Sequence, residues 1–231
     1  MLKYIYHHLG LGDGILLNGL IRTILASNTA DTFVLFCKEH NYESISFMYH
    51  DVSRLKISKC KNDAEVVSYL KNKNNVIKIG FENVNRYGYI PFDETFYKQM
   101  NIPIENKWTK WYYKRDRENE EQRIFSSLGL YRDSEYIFVH DNTTSANGIK
   151  EEYLKDKRVI RPVVGLTNNI FDYVYTIENA SEVHCIDSSF LALCDHIPQY
   201  GKKYFHKYSR KHVPSIYNPD QFIASDWVVV E

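Results

Sequence analysis

Three short runs of this chain carry side chains able to do chemistry on a phosphate or a hydroxyl. The first is His8-Leu9-Gly10-Leu11-Gly12-Asp13-Gly14-Ile15, which follows an apolar run from Leu2 to Tyr6 and leads into a helical pattern over residues 14–25. Glycines at a strand-to-helix turn leave backbone N–H groups unshielded, and the positive end of the helix dipole adds to their attraction for phosphate or carboxylate. Gly10, Gly12 and Gly14 supply that turn, and Asp13 places one carboxylate at its rim. The spacing departs from the dinucleotide pattern GxGxxG, because position 15 is Ile. The same glycines also suit a tight connection that binds nothing.

The second run is Asp187-Ser188-Ser189, between a strand-like stretch at 182–186 and a helical one at 190–197. Hydroxyls and free N–H groups converge at such a helix start, which suits an anion; Asp and Ser are equally the preferred helix caps. The third is His140-Asp141-Asn142-Thr143-Thr144, at the end of the strand-like 136–139. Open α/β sheets place ligands at the carboxyl ends of their strands. Arg161, in an extended stretch over 158–164, adds a cation suited to phosphate. His7 and His8 are adjacent, so on a strand only one of them faces a given side. His8 and His184 are each either structural or functional. No HxxxH, HExxH or DxD pattern occurs, and no metal site is expected.

The elements that must hold these residues alternate. Short apolar runs at 32–37, 55–58 and 76–79 read as strands, and residues 42–49 and 64–70 as helices, the latter capped by Asp63. A βαβα order implies a parallel sheet covered by helices. Residues 81–111 interrupt it with Pro91, Pro103, the aromatic run at 92–97, Trp108 and Trp111. Excursions of that length are often functional, and these aromatics suit either a sugar ring or the apolar cover of a sheet. Residues 113–128 are dense in charge and read as an exposed helix joining two halves. A second α/β set follows, including a helix over 170–179 with Asp172 near its start.

Composition bounds the partners. Basic and acidic residues number 29 each, so no global field collects nucleic acid or an anionic membrane. The basic run at 202–212 is either a solvated surface segment or a phosphate contact. The 44% hydrophobic content contains no run of about 20 apolar residues, and no signal peptide is recognisable. Cys37, Cys60, Cys185 and Cys194 form no CxxC pair and read as buried reduced thiols in a cytoplasmic protein.

The first loop resembles the LGD-type loop of heptosyltransferase-like enzymes, in which the Asp after the Gly lies near the acceptor. The stretch from Ile177 to Phe190, with IENA, His184 and DSSF, resembles that of two-lobed sugar transferases of the GT-B kind. FVHD at 138–141 and the excursion at 92–108 are similar to bacterial and viral members of that group. The resemblance implies an α/β fold of two Rossmann-like lobes, their parallel sheets facing a cleft: an acceptor lobe at 1–130 and a nucleotide-sugar lobe at 131–231. It implies a metal-independent glycosyltransferase with no cofactor beyond a nucleotide-sugar co-substrate, and a glycan or other hydroxyl acceptor. Asp13 would be the base; Gly12, Gly14, His140, Arg161, Asp187, Ser188 and Ser189 would hold the donor phosphates. His8, Asn18, Tyr97 and Trp108 are the expected sugar or acceptor contacts. Two rivals remain open: a non-catalytic sugar- or nucleotide-binding protein of the same fold, and a Rossmann oxidoreductase, for which Glu39 after the second strand would bind ribose.

Overall fold

The computed structural model describes residues 1–80, 92–141, 148–209, 223–224 and 226–231. The chain divides into two compact units, Met1–Lys114 and Arg115–Glu231. The division falls before the charged segment rather than after it, because that segment belongs to the second unit. Each unit is an α/β layer structure built on an all-parallel sheet.

In the first unit, β1 (Leu2–Tyr6), β2 (Thr32–Lys38), β3 (Leu55–Cys60) and β4 (Val76–Lys78) lie in the order β3-β2-β1-β4. Side chains alternate across the sheet. Tyr4, Tyr6, Phe36 and Cys60 pack on one face with Val66 and Leu70 of α4 (Asp63–Leu70). Ile5, Phe33 and Leu35 are buried on the other. Asn62, not Asp63, caps α4: its side chain accepts from the Glu65 N–H.

The helix after the first loop differs from its expected form. It begins at Leu11 and runs as α1 (Leu11–Leu16) and α2 (Asn18–Ser27), broken at Leu17. The break has an identifiable cause. The Tyr97 hydroxyl donates to the Leu16 carbonyl at 2.9 Å and accepts from the Leu20 N–H at 3.2 Å. It thereby replaces the backbone bond that would join those two groups, and an inserted side chain bends a helix at that point. Tyr97 comes from α5 (Phe92–Gln99), inside the aromatic excursion. Phe96 and Tyr97 are fully buried, so α5 supplies core; residues 81–91 of the excursion lie outside the described residues. α3 (Tyr42–Met48) lies between β2 and β3 in the chain, and α6 (Asn106–Thr109) follows α5 and packs beside α2.

In the second unit, β5 (Ile137–His140), β6 (Val159–Ile160), β7 (Glu182–Cys185), β8 (Lys202–His206) and β9 (Trp227–Val230) lie in the order β6-β5-β7-β8-β9. Ile137, Val139 and Ile186 pack with Ile149 and Leu154 on one face. Phe138 makes tilted ring contacts with Tyr173 and Phe190 on the other. The charged segment is α7 (Arg117–Asn119) continuing as a π-type turn, Glu120–Phe125. It is not an exposed helix throughout: Glu120, Ile124 and Phe125 are buried, and Arg115 bonds both Glu120 and Glu178. Residues 170–179 form a 3-10 turn, Ile170–Tyr173, then α8 (Val174–Glu178), and α9 is Ser189–His196. The basic run is largely strand, with Lys203 and His206 buried; its residues 210–212 lie outside the described residues.

Gly19 marks a close approach of α2 to α6. A Cβ there would lie 2.0 Å from the Asn106 carbonyl oxygen of α6, a backbone atom that cannot step aside. Gly19→Ala is expected to destabilise the protein by at least the about 1–3 kcal/mol typical of overpacking, read as a lower urea midpoint. An unchanged midpoint would show that α6 is free to move away.

Candidate functional site

Ligands in doubly wound sheets bind outside the carboxyl ends of the strands, where the strand order reverses direction. The first unit reverses between β1 and β4, and the second between β5 and β7. These two places are the candidate sites, and each is built differently.

At the first reversal, β1 runs into His7 and His8, and β4 into Ile79 and Gly80. His7 is buried with Nδ1–H donating to the His8 carbonyl, and burial pushes its pKa down to about 4. His8 is half-buried, its ring 5.4 Å from that of Phe96. Gly80, at φ +88, lets the backbone pass the His8 ring, since a Cβ there would sit 2.7 Å from its Cδ2. Burial also lowers the His8 pKa, opposed by the charge of Asp63, whose carboxylate accepts from the Tyr6 hydroxyl at 2.8 Å.

The glycine run does not form an open phosphate loop. It ends at Gly10, the N-cap residue of α1; Gly12, Asp13 and Gly14 are already helical. Gly14 is buried where a Cβ would lie 2.8 Å from Ile45 Cδ1, so it serves helix packing rather than phosphate contact. Asp13 is half-buried in the first turn, its Oδ2 2.5 Å from where a Gly10 Cβ would be. A carboxylate there is favoured by the helix dipole. Two expected acceptor contacts are structural instead. Asn18 is fully buried, its Oδ1 accepting from the Tyr112 N–H at 2.9 Å, and Tyr97 is committed to the helix break. Trp108 is 41% exposed, with the buried Lys107 amine 4.6 Å from its ring. Glu39 starts a 3-10 turn and is exposed.

At the second reversal, β5 delivers His140 and Asp141, while Ile186, Asp187 and Ser188 connect β7 to α9. The His140 ring lies 4.5 Å from that of Phe190. Its Nδ1 is buried without a hydrogen-bond partner among the described residues. Burial pushes its pKa down to about 4, so at neutral pH His140 brings hydrogen bonding and no charge. Asp187 is buried; Ser188 and Ser189 are half-buried. Ser188 caps α9, its hydroxyl accepting from the Leu191 N–H at 3.4 Å. Arg161 is present at this edge but engaged: it binds Asp141 through Nε at 3.0 Å and Nη2 at 2.9 Å. That bidentate pairing holds the Asp141 carboxyl below the usual carboxylate range. Asn142, Thr143 and Thr144 lie outside the described residues.

The sequence reading missed a further group on the same edge. Lys150 donates its N–H to the Tyr208 hydroxyl at 2.9 Å, and its amine lies 4.4 Å from that ring. His206, the last residue of β8, is fully buried, with the Tyr153 ring at 4.8 Å and the Tyr208 ring at 5.6 Å. The alternation of Lys203 and Phe205 was the available signal for β8, obscured by the density of charge around it.

The fold is that of GT-B glycosyltransferases. The chain is similar to the crystal structure of a glycosyl transferase family 9 protein from Veillonella parvula, with a TM-score of 0.63 and 11% identity over 99% of this chain and 86% of that one. It is also similar to the E. coli heptosyltransferase WaaC with ADP-2-deoxy-2-fluoro heptose, with a TM-score of 0.50 and 12% identity over 100% of this chain and 93% of that one. No family model matches the sequence, and no curated protein matches it either. Among the described residues no helix is long and apolar enough to cross a membrane.

The buried histidines make stability depend on pH with a definite sign. His7 has a folded pKa of about 4 against an ordinary 6.5, so between those values the unfolded chain binds the extra proton. Stability is full above the unfolded value, falls as pH drops through it, and levels off below the folded one. For His7 alone the loss amounts to about 3 kcal/mol. Urea unfolding followed from about pH 7 to about pH 4 should show that decline, and His7→Asn should reduce it. A flat profile in the wild-type protein would contradict the neutral, buried state of His7.

Proposed function

We propose that this chain is a glycosyltransferase that moves a sugar from a nucleotide-sugar donor to a hydroxyl acceptor. The observation that carries the reading is the second reversal point. There the strand order reverses between β5, which leads into His140-Asp141, and β7, which leads into Asp187-Ser188 and the start of α9. Such a crevice suits a nucleoside diphosphate: N–H groups at the helix start and the Ser189 hydroxyl can donate to phosphate oxygens. The fold likeness to a family 9 glycosyl transferase, and to a heptosyltransferase holding an ADP-sugar analogue, supports the same assignment.

Inverting transfer needs a base for the acceptor hydroxyl and donors for the leaving diphosphate. In this reading Asp13 is the base, and His8 and Trp108 contact the acceptor. Asp187, Ser188, Ser189 and His140 hold the donor phosphates. Arg161, held by Asp141 through Nε and Nη2, has Nη1 to offer a phosphate. We assign no cofactor or metal to the reaction.

Gly10 provides a test that separates chemistry from capping. Its φ of −68 suits alanine, and among the described residues the obstacle to a Cβ is the flexible Asp13 carboxylate. Gly10→Ala should therefore fold normally while displacing that carboxylate. Asp13→Asn keeps the size of the side chain and most of its capping ability. With ADP-, GDP- and UDP-sugars as donors, turnover should fall at least about a hundredfold in Asp13→Asn. Gly10→Ala should lose part of the rate, and donor binding should persist in both. Asp13→Asn turnover within a few fold of wild type would remove Asp13 as the base. Donor binding without any turnover in the wild type would favour the non-catalytic reading, and hydride transfer from a nicotinamide would favour the oxidoreductase.

A further inference from the structure

A hydrogen-bonded chain that runs from exposed Lys157 and half-buried Glu182 to buried His206 has a forced direction. Lys157 pairs with Glu182 Oε2 at 2.5 Å, and the same oxygen lies 2.9 Å from His184 Nε2. Because a carboxylate only accepts, His184 Nε2 carries the proton. Neutral His184 then has a lone pair at Nδ1, which lies 2.9 Å from His206 Nε2. His206 Nε2 must therefore be the donor, and the chain ends on the lone pair of His206 Nδ1. That atom is fully buried and has no partner among the described residues. Buried acceptors are rarely left unsatisfied, because leaving one without a partner forfeits its hydration.

The surroundings of His206 decide what this lone pair does. On its own strand and the turn after it are Tyr204, stacked on His184 at 4.7 Å, with Lys207 and Tyr208. From β7 come Glu182 and His184, and from the stretch before and around β6 come Lys150, Tyr153 and Lys157. Asp141, bound to Arg161, lies beyond β5. After burial and His184, the Lys150 cation is the next influence holding protons off His206, and Asp141 opposes it. An anion that settles at this carboxyl edge cancels the field of Lys150 and adds negative charge of its own.

We propose that binding of a nucleoside diphosphate to the second unit is coupled to uptake of one proton by His206. The proton passes from solvent to His206 Nδ1, giving an imidazolium that still donates through Nε2 towards His184; no other bond forms or breaks. His206 is a positioning residue in this scheme, sensing the ligand through charge. The inference rests on the proposed donor site and adds a proton to its stoichiometry. By reciprocity, each unit by which the ligand raises the proton affinity of His206 makes the protonated protein bind about tenfold more tightly.

Calorimetry of ADP, GDP and UDP binding at about pH 5.5, in two buffers of different ionisation enthalpy, counts the protons taken up. The wild-type protein should take up a fraction of a proton beyond that of the nucleotide itself, and tighten its binding as pH falls. His206→Gln keeps an N–H donor for His184 and cannot titrate, so it should bind without the extra uptake. If that variant does not fold, nitrogen NMR of the histidine rings in wild-type protein reads the same event, as one ring whose pKa rises on adding nucleotide. Nucleotide binding with no extra uptake, or with uptake unchanged in His206→Gln, would overturn the coupling and leave the donor site standing. No binding of any of the three nucleotides would overturn the donor site and the coupling together.

Discussion

Every strand in both sheets runs parallel to its neighbours, and this constraint governs where chemistry can happen. Parallel strands put all their carboxyl ends on one edge, and the return connections cover the faces with helices. Where the order of winding reverses, adjacent loops leave in opposite directions and a gap opens between them. His8 and Gly80 stand in close contact at one reversal, and His140 and Asp187 stand at the other. Polar residues at these places need no separate explanation for their gathering. The winding brings them there.

A rigid frame around each gap follows from how buried polar groups are satisfied. Tyr97 closes both orphaned groups at the break between α1 and α2, which fixes where Asp13 stands relative to β1. Lys107 and Asp93 form a fully buried ion pair at 2.8 Å, a costly arrangement whose disruption would strand a charge in the core. In the second unit, Asp172 accepts from Thr167 at 2.5 Å, Asn169 at 2.7 Å and Asn119 at 3.1 Å, anchoring the charged segment. Asp195 likewise accepts from Trp227 at 3.0 Å and ties α9 to β9. These contacts contribute specificity of arrangement more than net stability, because desolvating charges offsets much of what pairing returns.

The alternating α/β order, both parallel sheets and most of the strands were legible in the sequence, because short apolar runs at regular spacing carry the period of a strand. Side-chain insertion was not. Nothing local to residues 14–25 reveals that Tyr97, far along the chain, splits that helix. The helix start at Leu11 was hidden for a related reason: Gly12 and Gly14 have weak helix propensity, and the packing of Gly14 against Ile45 overrides it. Ser188 was legible as a residue at a helix start, and its hydroxyl caps α9. The Lys157–Glu182–His184–His206 chain was out of reach, since it depends on the register of β7 against β8, which pairs His184 with Tyr204 and puts His206 one step beyond.

The central claim is that a donor nucleotide occupies the reversal between β5 and β7. Hydrogen–deuterium exchange on the full chain, with and without saturating nucleoside diphosphate, tests it most directly. The account expects slowed exchange at 137–141 and at 186–191, the backbone around His140 and the start of α9. Protection confined to the first unit, or a second-unit pattern that spares both stretches, would contradict it.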